Sequence, residues 1–117
     1  MAGTIDWKRL QTRYAQLTWQ QRLGNLASTL ARAATAASNP RTAASASDLL
    51  REGMYVIEWC GADTPSPALR ELAPMQRELG LWWRAWEQDT QTVRPLLAFR
   101  ARAMADRVLE LSGLAAR

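Results

Sequence analysis

Apolar residues recur every three or four positions along almost the whole chain, and each interruption of that rhythm marks a boundary. Trp7, Leu10, Tyr14 and Leu17 form one stripe; the register then restarts two residues out of phase as Trp19, Leu23, Leu26, Leu30, Ala33 and Ala37. Thr18, followed three residues later by Gln21, has the pattern of a capping box. The spacing predicts a short first helix over 5–17 and a long second helix over 19–37, with one bent helix as the alternative.

The stretch SNP (38–40) ends the second helix. Asn39 can cap free N–H groups and Pro40 suits a first helical position, so a third helix is predicted from residue 40 to Cys60, stopped by Gly61. Its apolar face is Ala43, Ala46, Leu49, Leu50, Gly53, Val56, Ile57 and Cys60. The segment MYVIEWC alone could pass for a strand, but no second β-rich segment exists to pair with it. ADTPSP (62–67) reads as a turn with Ser66 as N-cap, opening a fourth helix to Gln88 with the stripe Ala68, Leu72, Met75, Leu79, Trp82 and Trp86. Pro74 deletes one backbone hydrogen bond inside this pattern, which predicts a kink or two helical pieces near residue 73. After QDTQT a fifth helix carries Val93, Leu97, Ala101, Met104, Val108 and Leu111 inward, with Arg94, Arg100, Arg102, Asp106, Arg107 and Glu110 mostly outward. Gly113 should close it in a left-handed conformation, with Leu114 packing back on Leu109. The fold class is therefore all-α: one domain over 1–117, an antiparallel bundle of four long helices plus a short N-terminal helix, the fourth helix kinked at Pro74.

Short connections place the end of helix two and the start of helix three beside the end of helix four and the start of helix five. ARAATAAS and TAASAS offer methyl-sized side chains there, and the inward stripe of helix four brings Trp82 and Trp86 to the same level. Close packing needs such large-against-small matching, so these two indoles are expected in the core. Trp83 is turned about 100° from Trp82, and Trp59 follows Glu52 and Tyr55 along the polar side of helix three. Trp59, Trp83 and Tyr55 are thus the candidate partner-binding residues, since exposed aromatics are frequent at interfaces.

Composition narrows the chemistry. The chain has no histidine and a single cysteine, Cys60, which removes the usual neutral-pH proton shuttle, ordinary zinc sites and any intramolecular disulfide. No cofactor or metal is expected. Glu52, Glu58, Glu71 and Glu78 alternate with arginines and read as ion pairs on solvated faces rather than catalytic acids, so no enzymatic activity is expected. A lone thiol suits a reducing, cytoplasmic setting. The start MAGTIDWKRL lacks the apolar run of a signal peptide, and the longest uncharged stretch, Leu23–Ala31, is far short of a membrane span. The net charge of +4 is uneven: residues 1–47 sum to +5 and residues 48–117 to −1. That asymmetry makes Lys8, Arg9 and Arg13 candidate anion-binding residues and nucleic acid an alternative partner. The bases are spread along two helices, however, and no recognition-helix motif or aromatic platform accompanies them.

LGNLASTLAR (23–32), VIEWCGA (56–62) and RVLELSGL (107–114) resemble segments of small all-helical proteins of cyanobacteria. The resemblance implies a soluble intracellular protein of a photosynthetic bacterium with a regulatory or assembly role, and it carries over no catalytic or binding residue. The function expected from the sequence is a non-catalytic interaction or scaffold module that recognises another protein or itself, with homo-oligomerisation expected.

Overall fold

In a computed structural model describing residues 5–114, the chain folds as five helices: α1 (Trp7–Ala15), α2 (Trp19–Ser38), α3 (Ser45–Glu58), α4 (Ser66–Gln88) and α5 (Thr90–Ser112). The break after Leu17 is built as its sequence suggests. Gln21 N–H donates to Thr18 Oγ1 (3.1 Å) while Thr18 N–H donates to Gln21 Oε1 (3.0 Å), so two orphan donors at the start of α2 are satisfied reciprocally.

α2 lies against α3 and α5, and α4 closes the ring by packing on α3 and α5, diagonal to α2. Cross-links fix the antiparallel directions. Arg94 Nε at the start of α5 donates to the Ala37 carbonyl at the end of α2 (3.1 Å), which also answers an unpaired helix-terminal acceptor. Trp83 Nε1 near the end of α4 donates to Ser47 Oγ near the start of α3 (3.0 Å). Along α4 and α5, Arg100 grips Glu78 and Arg107 grips Glu71, both at 2.6 Å.

Small residues let the inner helices approach. Ala27, Ala33, Ala34, Ala36 and Ala37 of α2 are buried, as are Ala43 just before α3, Ala46 within it, and Ala101 and Ala105 of α5. Gly53 serves the same end in α3: a Cβ there would stand 3.2 Å from Leu79 Cδ1 and 3.5 Å from Leu30 Cδ2. The inward row of α4 is Leu72, Leu79 and Trp86, spaced by seven, and Trp86 is buried at the level of the α2 and α3 alanines. Trp82 differs from expectation. It is half-buried at the α4–α5 seam, its indole N–H donating to Glu78 Oε2 (2.9 Å), because its direction is about 60° off the row that Leu79 and Trp86 define.

Several boundaries moved, each for a local reason. α3 starts at Ser45, not residue 40. Asn39 Oδ1 accepts from Arg41 N–H (3.0 Å) and Thr42 Oγ1 donates back to the Ala36 carbonyl (3.2 Å), so residues 39–44 fold as turns that finish α2. α3 ends at Glu58 without a left-handed residue at Gly61, because the Trp59 and Cys60 N–H groups tighten the last turn onto the Val56 and Ile57 carbonyls (both 3.1 Å). Ser66 is the first residue of α4 rather than its cap, with no side-chain cap bond. α4 runs as one helix through Pro74, which sits on the exposed side, and α5 likewise contains Pro95. Gly113 does adopt the left-handed conformation (φ 74°). Leu114 lies over Gly24 and shares a hollow with Leu109, but its N–H donates to Ser112 Oγ (3.1 Å) in place of the second Schellman bond.

Truncating a buried indole costs about 3–5 kcal/mol. Trp86→Ala should therefore lower the melting temperature by roughly 10 °C or more, and the half-buried Trp83→Ala should lower it clearly less. Circular dichroism melts of the two variants check this, and equal shifts would contradict the inward placement of Trp86.

The Glu78 carboxyl is held below the usual carboxylate range, chiefly by its hydrogen bonds from Arg100, with partial burial opposing and the Trp82 N–H assisting. Because the folded value lies below the unfolded one, the pair stabilises the fold at neutral pH. That contribution fades as pH falls through the ordinary carboxylate range and is gone below the folded value. The stability difference between wild type and Glu78→Gln, measured by urea unfolding, should shrink steadily with acidification; a constant gap would refute this role.

Candidate functional site

α3 carries Arg51, Tyr55 and Trp59 at i, i+4 and i+8, which places them on one stripe of its outward side. α1 lays Trp7 and Tyr14 onto that stripe. The Trp7 and Tyr55 ring centroids are 4.5 Å apart, Tyr55 and Trp59 stack at 5.8 Å with planes 22° apart, and Tyr14 meets Trp59 at 5.7 Å. The Arg51 guanidinium continues the series, 5.3 Å from the Trp7 centroid and 6.0 Å from that of Trp83 on α4. One continuous row of rings and a cation thus joins α1, α3 and α4.

This row decides the fate of the three aromatic candidates. Trp59 and Trp83 are half-buried and Tyr55 is 39% exposed. Tyr55 and Trp83 share a groove of about 530 Å³ with Arg51, Met54, Glu58 and Gln76, pinned across its floor by Gln76 Nε2 donating to the Met54 carbonyl (3.1 Å). Trp59 faces α1. Tyr55 and Trp59 therefore attach α1 to the bundle, while Trp83 ties α4 to α3 through Ser47 and Arg51; α1 approaches the other helices closely at few backbone positions, so the bulky side chains span the gap.

The basic candidates are placed as expected on the exposed side of α1: Lys8, Arg9 and Arg13 all face solvent. Arg9 and Arg13 line a hollow of about 360 Å³, but Asp6 and Glu52 line it too, so two carboxylates already stand beside the guanidinium groups. The other bases of the N-terminal half are differently engaged. Arg22 is 5% exposed and donates to both Asp63 carboxylate oxygens (2.5 and 2.6 Å) and to the Leu17 carbonyl (2.8 Å), clasping the α1–α2 turn to the α3–α4 loop. Arg32 reaches Glu52 (3.5 Å), and Glu52 in turn accepts from the buried Thr29 hydroxyl (2.8 Å). The sequence signal for Arg22 was its place between Trp19 and Leu26 on the apolar side of α2.

Catalytic groups do not converge. Glu52, Glu71 and Glu78 are each tied to an arginine, and no cluster of three metal-ligating side chains occurs among the described residues. Burial pushes the Cys60 thiol up to about 11, so it is protonated at neutral pH and a poor nucleophile. Burial, aided by Glu52, also raises the Tyr14 phenol.

A different surface is open. Leu81 (64% exposed), Leu96 (58%) and Phe99 (76%) project from the outer side of the α4–α5 pair. The two ion pairs set the register: Glu78 lies level with Arg100 and Glu71 with Arg107, which puts Leu81 beside Leu96 and within about one turn of Phe99. All three fall outside the inward rows of their helices, which is the signal the sequence held for them.

Aromatic pairs of this kind contribute about 0.5–1.5 kcal/mol each beyond area burial. Tyr55→Ala removes the partner of both Trp7 and Trp59, so amide exchange in α1 should accelerate roughly tenfold or more while α2 and α5 keep their protection. Uniform acceleration along the chain would show instead that α1 is not held separately.

No protein-family model matches the chain, and no curated protein or solved structure shows significant similarity to it, so the assignment of a role rests on these surfaces.

Proposed function

We propose that the protein is a non-catalytic interaction module that presents the outer α4–α5 face to another protein or to a second copy of itself. The observation that carries this reading is the placement of Leu81, Leu96 and Phe99 on two adjacent helices, uncovered by any of the described residues. Large apolar side chains exposed in one patch are the usual mark of an association surface. The engaged carboxylates and the protonated Cys60 support the non-catalytic half of the proposal. A scaffold or regulatory role of this kind also suits the resemblance to small helical cyanobacterial proteins. No helix of the described residues is long and apolar enough to cross a membrane, and a cytoplasmic setting is part of the proposal.

Nucleic-acid binding through Lys8, Arg9 and Arg13 is less well supported, because Asp6 and Glu52 share their hollow and Arg22 is buried. The two readings place the contact on opposite parts of the molecule. A photo-crosslinking residue at position 99 should give discrete protein adducts in cells, and the same residue at the exposed Gln11 of α1 should give none. Self-association, if it uses this face, should appear as a crosslinked dimer from position 99 that Leu96→Ser abolishes. Nucleic-acid adducts from position 11, or identical patterns from both positions, would overturn the proposal.

A further inference from the structure

Beside the apolar patch runs a row of uncompensated charge. Arg70, Arg77 and Arg84 are spaced by seven on α4, and a heptad step nearly repeats direction on a helix, so the three guanidinium groups leave the same side about 10.5 Å apart. All three are exposed, and among the described residues none of them takes part in an ion pair. Their surroundings explain this. The neighbours at three and four residues are chiefly Ala73, Pro74, Gly80 and Leu81, with one carboxylate, Glu87, three residues beyond Arg84 but not paired with it; Glu71 and Glu78 turn towards α5, where Arg107 and Arg100 hold them. Across the α4–α5 seam Glu71 and Glu78 are neutralised by Arg107 and Arg100, whereas no carboxylate among the described residues pairs with this row.

We infer that the partner of this face is an acidic amphipathic helix lying along α4, whose carboxylates meet Arg70, Arg77 and Arg84 while its apolar side covers Leu81, Leu96 and Phe99. The inference rests on the proposed interaction role and adds the chemistry of the partner. Charge complementarity selects the occupant: a second copy offering the same face would bring two unpaired arginine rows together, and like charges brought face to face suppress a pairing. The seven-residue repeat selects its form. A helix presents side chains at the same interval, so three carboxylates can meet three arginines in one register, with the apolar stripe displaced to the side where the patch lies. A lipid surface or a flexible polyanion gains nothing from that periodicity.

The test uses the intact protein and defined probes: an 18-residue helical peptide with Glu at heptad spacing and Leu on the adjacent stripe, the same peptide with Lys for Glu, anionic phospholipid vesicles, and a single-stranded RNA 20-mer. Binding is read by fluorescence anisotropy for the peptides and RNA, by sedimentation for vesicles, and by ¹⁵N–¹H chemical-shift mapping for location. The acidic peptide should bind with shifts confined to the outer residues of α4 and α5, and the Lys peptide should not bind. The triple variant R70Q/R77Q/R84Q should weaken the acidic peptide roughly tenfold or more and flatten its salt dependence. If Phe99→Ser abolishes binding but the triple variant and the Lys peptide behave like their counterparts, the interaction face stands and the acidic partner falls. If neither Phe99→Ser nor the triple variant changes anything, both fall. Preference for vesicles or RNA over the acidic peptide also overturns the inference. The Lys peptide gives its answer on the unmodified protein, so the outcome does not hang on the variants folding.

Discussion

Close approach around α2 is the constraint from which the rest of the architecture follows. A helix that buries methyl-sized side chains towards two neighbours draws α3 and α5 close, and Leu26, Leu30 and Leu79 converge over Gly53, where a Cβ would press on Leu79 at 3.2 Å. α4 is then left diagonal to α2, bridging α3 and α5, and the space it must fill is wider. Its inward row answers with Leu72, Leu79 and Trp86, Leu79 meeting Leu26 and Leu30 over Gly53 and Trp86 filling the end where α2 offers alanines. The outer side of α4 is the necessary by-product of this arrangement. It faces away from every other helix, and what the sequence places there is available to solvent and to partners alone.

Charge is distributed by the same geometry and not by position in the chain. The N-terminal 47 residues hold the excess of bases, yet Arg22 is buried against Asp63 and Arg32 leans on Glu52, so acids from the second half neutralise bases from the first. The second half, formally −1, loses Glu71 and Glu78 to Arg107 and Arg100 in the same way. Among its bases, Arg70, Arg77 and Arg84 form a regularly spaced row that takes part in no ion pair among the described residues. A segment that is slightly acidic by composition therefore displays the ordered basic row.

Helices and their inward faces were legible because apolar spacing is a direct consequence of helical geometry; Thr18 and Gln21 and the left-handed Gly113 show that termini are legible where one residue's chemistry decides them. Residues 39–44 were not. Asn39 and Pro40 can end one helix or begin another, and the choice is made by Thr42 reaching back to Ala36, a contact no local pattern announces. Trp59, Trp83 and Tyr55 were visible as off-face aromatics, but the use of Tyr55 and Trp59 in holding α1, and of Trp83 in tying α4 to α3, depends on a register between helices that only the folded chain fixes. Leu81, Leu96 and Phe99 were less conspicuous than tryptophans while lying further from any inward row.

That contrast separates two meanings of an aromatic off the core face. Where a short amphipathic helix such as α1 lacks the length to bury much surface on its own, rings on a neighbour are recruited as its docking site and end half-buried or, at Tyr55, 39% exposed. Where none of the described residues lies over a face, as on the outer side of α4 and α5, apolar side chains stay open at more than half their area. A helix in the second situation gains nothing for its own fold from Phe99 or Leu96, and their presence weighs against solubility. Their place beside Arg70, Arg77 and Arg84 is the physical basis of the proposal that this face is covered by a surface bringing both apolar area and negative charge.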